Sequence, residues 1–203
     1  VSVTVLDVND PPEFDADEYS YDLDENPVKG HVVATLLGKV SDPDLDDTMT
    51  FSFQAGSNSD AAYAIAEDTG SITVNKPTLF DYEKRSTLST QLTIKVEDEE
   101  GLSDTAVVKV NLKDVNEAPE LDVLGSEKAE CSVKENSEEG ADVCTISASD
   151  QDAGQSTGSF RLITNPGSRF EIDSTSGEVT VAADAGLNFE STEEYTIKVG
   201  AKD

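Results

Sequence analysis

The sequence predicts an all-β chain made of tandem, seven-stranded antiparallel Greek-key β-sandwiches. Three observations carry that expectation. Apolar residues alternate with polar ones along short runs, as in Leu92, Ile94 and Val96 and then Ala106, Val108, Val110 and Leu112. Period two with one apolar face marks a half-buried strand. Turn signals separate the runs, and no 3.6-residue apolar stripe of helical length interrupts them. Finally, the chain nearly repeats itself after 107 residues: Asp7-Val8-Asn9-Asp10 returns as Asp114-Val115-Asn116-Glu117. Self-similarity at a fixed period is the signature of an array, and about seven short strands in about 100 residues suit a sandwich.

Taken in chain order, residues 1–6 (VSVTVL) read as the final strand of a preceding repeat, with residues 1–10 forming that strand and its linker. Residues 11–118 read as one complete repeat with its linker, and residues 119–203 as a second repeat that stops before its last strand. The phase implies an internal piece of a longer array. Asp24-Glu25-Asn26 matches Lys134-Glu135-Asn136, and Ser41-Asp42-Pro43-Asp44 matches Ser149-Asp150-Gln151-Asp152. Thr69-Gly70-Ser71-Ile72-Thr73-Val74 matches Ser176-Gly177-Glu178-Val179-Thr180-Val181, and Phe80-Asp81-Tyr82-Glu83 matches Leu187-Asn188-Phe189-Glu190. Ala61 to Ala66 reads as a helical turn. Asp68-Thr69-Gly70, Glu100-Gly101 and Thr175-Ser176-Gly177 read as turns, and Tyr195, Ile197 and Val199 as a strand of the second repeat. Cys131 and Cys144 fall in segments that read as strands, so a short-loop disulfide and two buried thiols are both open readings.

Charge narrows the function. Asp plus Glu number 43 against 14 Lys plus Arg, a net charge of −29. Such a chain is repelled by nucleic acid and by anionic membranes, so cations or basic proteins are its natural partners. The hydrophobic content of 36% is enough for folded cores. No secretory leader, no apolar run of roughly 20 residues and no Asn-x-Ser/Thr acceptor occurs.

Many acids alternate with other residues on extended backbone: Asp42-x-Asp44, Asp150-x-Asp152, Asp81-x-Glu83 and Asp114-x-Asn116-Glu117. Side chains two apart on a strand point the same way, so each pair can offer both oxygens to one ion. An oxygen donor set selects a hard cation, and Ca²⁺ takes roughly 6 to 8 such ligands. The single histidine, His31, speaks against zinc or copper and reads as an ordinary strand residue. Paired carboxylates also serve glycoside hydrolysis, but such clefts are lined with aromatics, and the chain has no Trp, seven Phe and five Tyr. It is expected not to be an enzyme. Scattered acids such as Glu99, Glu100, Glu138, Glu139, Glu193 and Glu194 read as a solvated face.

These motifs together resemble the extracellular repeats of the cadherin family. The matching positions are the Asp-x-Asn-Asp linkers at 7–10 and 114–117, Glu25, the Leu-Asp-Arg-Glu-like Phe80-Asp81-Tyr82-Glu83, the Asp-x-Asp pairs, and Asp98 and Asp203 in Ala-x-Asp-like motifs. The resemblance implies an immunoglobulin-like sandwich and about three calcium ions at the linker near residue 115. Glu25, Asp81, Glu83, Asp114, Asn116, Glu117, the Ala118 carbonyl, Asp150, Asp152 and Asp203 would be their ligands. Near residue 8, Asp7, Asn9, Asp10, Asp42, Asp44 and Asp98 would hold one calcium or two. Three departures stand out: Glu117 replaces Asp, Asn188 stands where Asp is usual, and the usual Asn is not evident around Gly158 and Ser159.

The resemblance further implies an extracellular, cell-surface setting, and that setting favours a Cys131–Cys144 disulfide. It implies calcium-stiffened repeats of a rod serving adhesion, with another cadherin or the same protein on an opposing cell as partner. Neither nucleic acid nor a small-molecule substrate is expected, and any membrane anchor would lie outside these residues. A non-adhesive mechanical spacer, or the cadherin-like repeats of a bacterial surface protein, are the alternatives. The absence of tryptophan, which the family's membrane-distal repeat uses for strand exchange, favours interior repeats.

Overall fold

The computed structural model describes residues 1–44, 47–122, 130–152 and 158–202. The chain divides into two compact units, Val1–Val115 and Asn116–Asp203.

The first unit is built from nine strands: β1 (Glu13–Phe14), β2 (Glu18–Asp24), β3 (Val32–Ala34), β4 (Val40–Ser41), β5 (Thr50–Phe53), β6 (Tyr63–Ile65), β7 (Ile72–Val74), β8 (Ser89–Glu97) and β9 (Ser103–Lys113). One sheet has the order β2-β9-β8-β5 and a second the order β3-β7-β6, with β1 and β4 forming a two-residue ladder. Without that short pair, seven strands remain, as the sequence predicts. The longest hairpin, β8–β9, places Leu92 opposite Val108 and Ile94 opposite Ala106. These four lie on the inner face and are at most 2% exposed, so the alternation in the sequence is the alternation of burial. Phe51, Phe80, Leu36 and Ile72 complete the centre, with Tyr63 edge-on to Phe80 at 5.2 Å. Burying a side chain of this size contributes about 1.5–3 kcal/mol.

The antiparallel expectation needs one amendment: β2 and β9 pair in parallel, from Glu18 opposite Val107 to Asp24 opposite Lys113. Parallel neighbours need a long crossover, and here most of the unit is the crossover. The register puts Leu23 beside Leu112 in the core. It also carries the end of β2 to the end of β9, where Glu25 N–H donates to the Lys113 carbonyl at 3.0 Å.

One further expectation is corrected. Ala61 to Ala66 is no helical turn, because Tyr63–Ile65 is strand β6, paired with β7 through Tyr63 and Val74. The buried Ala62 and Tyr63 are held by the sheet, and that tertiary pairing overrides the local preference of alanine for helix. Residues 1–10 form no strand among the described residues. Val1, Val3, Val5 and Leu6 are exposed, and an alternating segment becomes a strand only when a ladder partner is present.

The second unit contains β10 (Glu120–Asp122), β11 (Asp142–Thr145), β12 (Ser147–Ser149), β13 (Ser159–Thr164), β14 (Phe170–Ile172), β15 (Glu178–Val181) and β16 (Lys198–Lys202). They form the ladders β10-β12, β11-β15-β14 and β13-β16, all antiparallel. Its core is smaller, built on Phe170, Val179, Val181, Ala185 and Leu187, with Tyr195 and Ile197 packed against it ahead of β16. Cys144 lies in β11 as expected, but Cys131 lies outside any strand. The two are joined by a disulfide with Cα atoms 6.0 Å apart.

The turn before β15 shows why one glycine recurs. Asp173 Oδ1 accepts the N–H groups of Thr175 and Ser176 and the Ser176 hydroxyl, and these donors hold its carboxyl below the usual range. Gly177 follows with φ +73°, and a Cβ there would stand 2.1 Å from the Ile146 carbonyl oxygen. Gly177→Ala is therefore expected to destabilise the chain by about 2–4 kcal/mol, combining left-handed strain with a backbone clash. Urea denaturation of the variant against the parent measures it.

Candidate metal centre

At the base of the first unit, Asn26 adopts φ +53° and donates its N–H to the Phe80 carbonyl at 2.7 Å. That turn sends the Glu25 side chain inward, where it is 5% exposed. Its Oε2 accepts from Tyr82 N–H at 2.7 Å and its Oε1 from Val115 N–H at 2.9 Å. One carboxylate thus ties the segment after the Pro77–Leu79 3₁₀ turn to the chain leaving β9. Around it gather Glu83 and Asp114, each offering an oxygen within 4.8 Å of the others. Oxygens on opposite sides of one Ca²⁺ are separated by about 4.6–5.2 Å, so this span fits a shared coordination shell.

Asp81, expected beside them, is engaged elsewhere. Its Oδ1 accepts from Lys84 N–H at 3.1 Å and its Oδ2 from the Lys84 ammonium at 2.6 Å. The Lys84 ammonium holds the Asp81 carboxyl below the usual range.

The Asp-x-Asp pairs adopt one geometry in both units. In the first, Asp44 N–H donates to Asp42 Oδ1 at 3.0 Å, and Asp10 N–H donates to Asp44 Oδ2 at 2.8 Å. In the second, Asp152 N–H donates to Asp150 Oδ1 at 3.0 Å, and Glu117 N–H donates to Asp152 Oδ2 at 2.8 Å. Each pair is an Asx turn whose second carboxylate is held by the linker residue that aligns in the repeat. Asp98 lies 6% exposed in the first unit. Its Oδ2 accepts from Asn9 Nδ2 at 2.9 Å and its Oδ1 from Leu102 N–H at 2.8 Å. Burial opposes ionisation of Asp98, but Asn9 and the N–H groups of Leu102, Gly101 and Glu100 outweigh it and hold the carboxyl below the usual range.

Several oxygens in these turns are shielded from solvent and meet no hydrogen-bond donor among the described residues: Asp42 Oδ2, Asp47 Oδ2, Asp150 Oδ2 and Asp152 Oδ1. A buried carboxylate oxygen left without a donor is costly, and a bound cation removes that cost. The donor set is carboxylate oxygen throughout, with no Cys or His in either acidic cluster among the described residues. The residues fit a hard divalent cation.

Of the other expected ligands, Asp7 and Ala118 are exposed. Asn116 is exposed too and donates through Nδ2 to the Glu117 carbonyl at 3.3 Å. Asp203 lies outside the described residues. Sequence reasoning missed Asp47, whose carboxylate joins Asp42 and Asp98 within 4.8 Å. Burial, followed by the charges of Glu100, Asp42, Asp44 and Asp98, raises its carboxyl above the usual range. The signal was available as a third acid five residues after Asp42, but it breaks the alternate-residue pattern.

Fold and site together define a class: tandem β-sandwich repeats with acidic clusters suited to a hard cation. The cadherin domain model matches residues 19–113 and 129–203, and the chain belongs to the cadherin family. It is 32% identical over its whole length to the human Cadherin EGF LAG seven-pass G-type receptor 3 and 29% identical over 99% of its length to human Protocadherin Fat 1. It spans only 6% and 4% of those two proteins. Among solved structures, mouse Cadherin-23 EC22-24 is 26% identical, covering 94% of this chain and 58% of that one at a TM-score of 0.53. Protocadherin Gamma B2 extracellular cadherin domains 3-6 share the fold at 23% identity and a TM-score of 0.56, covering 93% of this chain and 42% of that one. A Protocadherin gammaB7 EC3-6 cis-dimer structure shares it at 24% and 0.53, covering 97% and 48%. These relatives are cadherin receptors and ectodomains rather than enzymes, in agreement with the expectation that the chain is not catalytic. Among the described residues, no helix is long and apolar enough to cross a membrane.

Proposed function

We propose that the chain is a stretch of extracellular, calcium-binding cadherin repeats that stiffen a rod-like ectodomain for calcium-dependent adhesion, with calcium and a second cadherin, or another copy of this protein, as partners. The observation that carries this reading is the twice-built Asx turn, Asp42 with Asp44 in one unit and Asp150 with Asp152 in the other, in which Asp42, Asp150 and Asp152 each keep a buried oxygen that meets no donor among the described residues. A carboxylate arranged in this way twice over suits a ligand that supplies positive charge without supplying a proton. The cluster of Glu25, Glu83 and Asp114 adds a third set of oxygens.

In this reading about three calcium ions are held at the linker near residue 115 by Glu25, Asp81, Glu83, Asp114, Asn116, Glu117, the Ala118 carbonyl, Asp150, Asp152 and Asp203, and one or two near residue 8 by Asp7, Asn9, Asp10, Asp42, Asp44 and Asp98. Asp81 must exchange the Lys84 ammonium for the ion. Bound cations neutralise carboxylates that otherwise repel one another, and they supply bonds where the linker alone would swivel. The Cys131–Cys144 disulfide accords with an oxidising, extracellular setting.

Calorimetric titration with calcium is the test. A stoichiometry of about four or five ions, reduced in Asp114→Asn and in Asp150→Asn, is expected. Titration heats no larger than those of magnesium or sodium at equal ionic strength would overturn the reading.

A further inference from the structure

The same sheet face is finished differently in the two units. In the first, Val32 of β3 and Ala64 of β6 both lie opposite Thr73 of β7, one row across three strands. In the second, Asp142 of β11 and Glu171 of β14 lie opposite Thr180 of β15 in the matching row. Ile72 and Val74 beside Thr73, and Val179 and Val181 beside Thr180, belong to the cores, so both rows lie on outer faces. The turns entering the two sheets also match. Gly30 N–H donates to the Val74 carbonyl at 2.7 Å and Gly140 N–H to the Val181 carbonyl at 2.8 Å. His31 N–H donates to the Val28 carbonyl and Ala141 N–H to the Glu138 carbonyl, both at 3.1 Å. Through these matches Val28, Lys29, Val32, Ala64 and Ser71 stand where the second unit has Glu138, Glu139, Asp142, Glu171 and Glu178. Five acidic positions of one unit thus carry no acid in the other, in a chain of net charge −29. Val28 and Val32 are 73% and 55% exposed.

Depletion of charge is the compositional mark of a contact surface, and the ends of this face indicate what it contacts. Lys29 and Lys76 are exposed at the end where β3 starts and β7 stops, with Asp60 beside them. Glu67 and Asp68 are exposed at the opposite end, in the turn between β6 and β7. A two-fold axis through the face near Thr73 lays the basic end of each copy on the acidic end of the other, the self-complementarity that an isologous dimer requires.

We propose that the outer face of β3, β7 and β6 in the first unit docks on the same face of a second copy of this chain, antiparallel and about a two-fold axis. This rests on the adhesive reading given above and assigns its self-contact to one face. Copies of so acidic a chain repel one another over most of their surface. The acids of the second unit's matching face set like charges against like, which is costly at a contact, so that face is closed to the same pairing.

Sedimentation equilibrium of the 203-residue chain in calcium is the test, and dimers that form with rising concentration are expected. Val32→Asp copies the second unit's Asp142 and should raise the dimer dissociation constant about ten-fold or more. Ile163→Asp adds the same charge at a residue of β13 that is 50% exposed, and should change the constant less than about two-fold. Both side chains are exposed, so the melting temperatures should stay near that of the parent. Lys29→Glu with Lys76→Glu should weaken the dimer, and adding Glu67→Lys with Asp68→Lys should restore it. Equal weakening by Val32→Asp and Ile163→Asp overturns the proposal, and so does a four-residue exchange that fails to restore the dimer. Assemblies larger than a dimer also overturn it, as does a chain that stays monomeric up to about 1 mM. A monomeric chain that still takes up calcium by calorimetry leaves the calcium reading standing, whereas one that takes up none removes both.

Discussion

Calcium at 10 mM is expected to raise the melting temperature of the chelated chain by more than about 10 °C. Extracellular calcium modules bind with Kd of roughly 10⁻⁴ to 10⁻³ M. One site filled at about a hundred times its Kd stabilises the folded state by about 2.7 kcal/mol, and about 1 kcal/mol moves the midpoint of a domain near 100 residues by about 4 °C or more. Metal-free, Glu25, Glu83 and Asp114 hold their oxygens within 4.8 Å of one another, and Asp42, Asp47 and Asp98 do the same, so folding works against carboxylate repulsion at two places. Sodium chloride at matched ionic strength screens part of that repulsion and is the necessary control. Scanning calorimetry in a chelator, in sodium chloride and in calcium separates the contributions. A midpoint equal in calcium and in matched sodium chloride would show that no specific site exists.

The second large effect is expected from loss of the disulfide. Replacing Cys131 and Cys144 by Ser should lower the stability of the second unit by about 3 kcal/mol, the chain-entropy value for a loop of about 15 residues. Among the described residues the core cluster of the first unit has fifteen buried members and that of the second has five, so the smaller core has less stability in reserve. The bond also fastens a segment that pairs with no strand among the described residues. Glu135 and Asn136 follow it, Glu135 Oε2 accepting from Phe189 N–H at 3.1 Å and Asn136 N–H donating to the Leu187 carbonyl at 3.0 Å. Those contacts repeat the Glu25 and Asn26 pattern of the first unit, where β2 is held by its seven-residue ladder to β9. Hydrogen exchange at the β15 amides should accelerate in the double variant, while the β8 and β9 amides stay protected. Equal acceleration in both units would contradict the local role of the bond.

Much of this was legible before any coordinates. The runs that became β8 and β9 stood out because a strand buried on one face has to alternate. The Asp-x-Asp pairs stood out because they recur at nearly the spacing that separates Gly70 from Gly177. Less visible were features that depend on distant partners. Tyr63 to Ile65 became a strand because β7 lies beside it, whereas Cys131 lies in no strand among the described residues. Residues 1–6 carry a strand pattern and form no strand among the described residues.

By itself the sequence determined that the protein is an array of all-β repeats, that the side chains offered to a cation are carboxylates, and where along the chain those carboxylates cluster. Periodicity and residue type are local properties, and they survive in a string of letters. Tertiary structure alone decided that β2 runs parallel to β9, that Asp47 joins Asp42 and Asp98, and that Asp81 turns to Lys84. Glu25 shows the reason. Its two oxygens are held by N–H groups 57 and 90 residues away, and which carboxylates meet depends on how such long-range hydrogen bonds close.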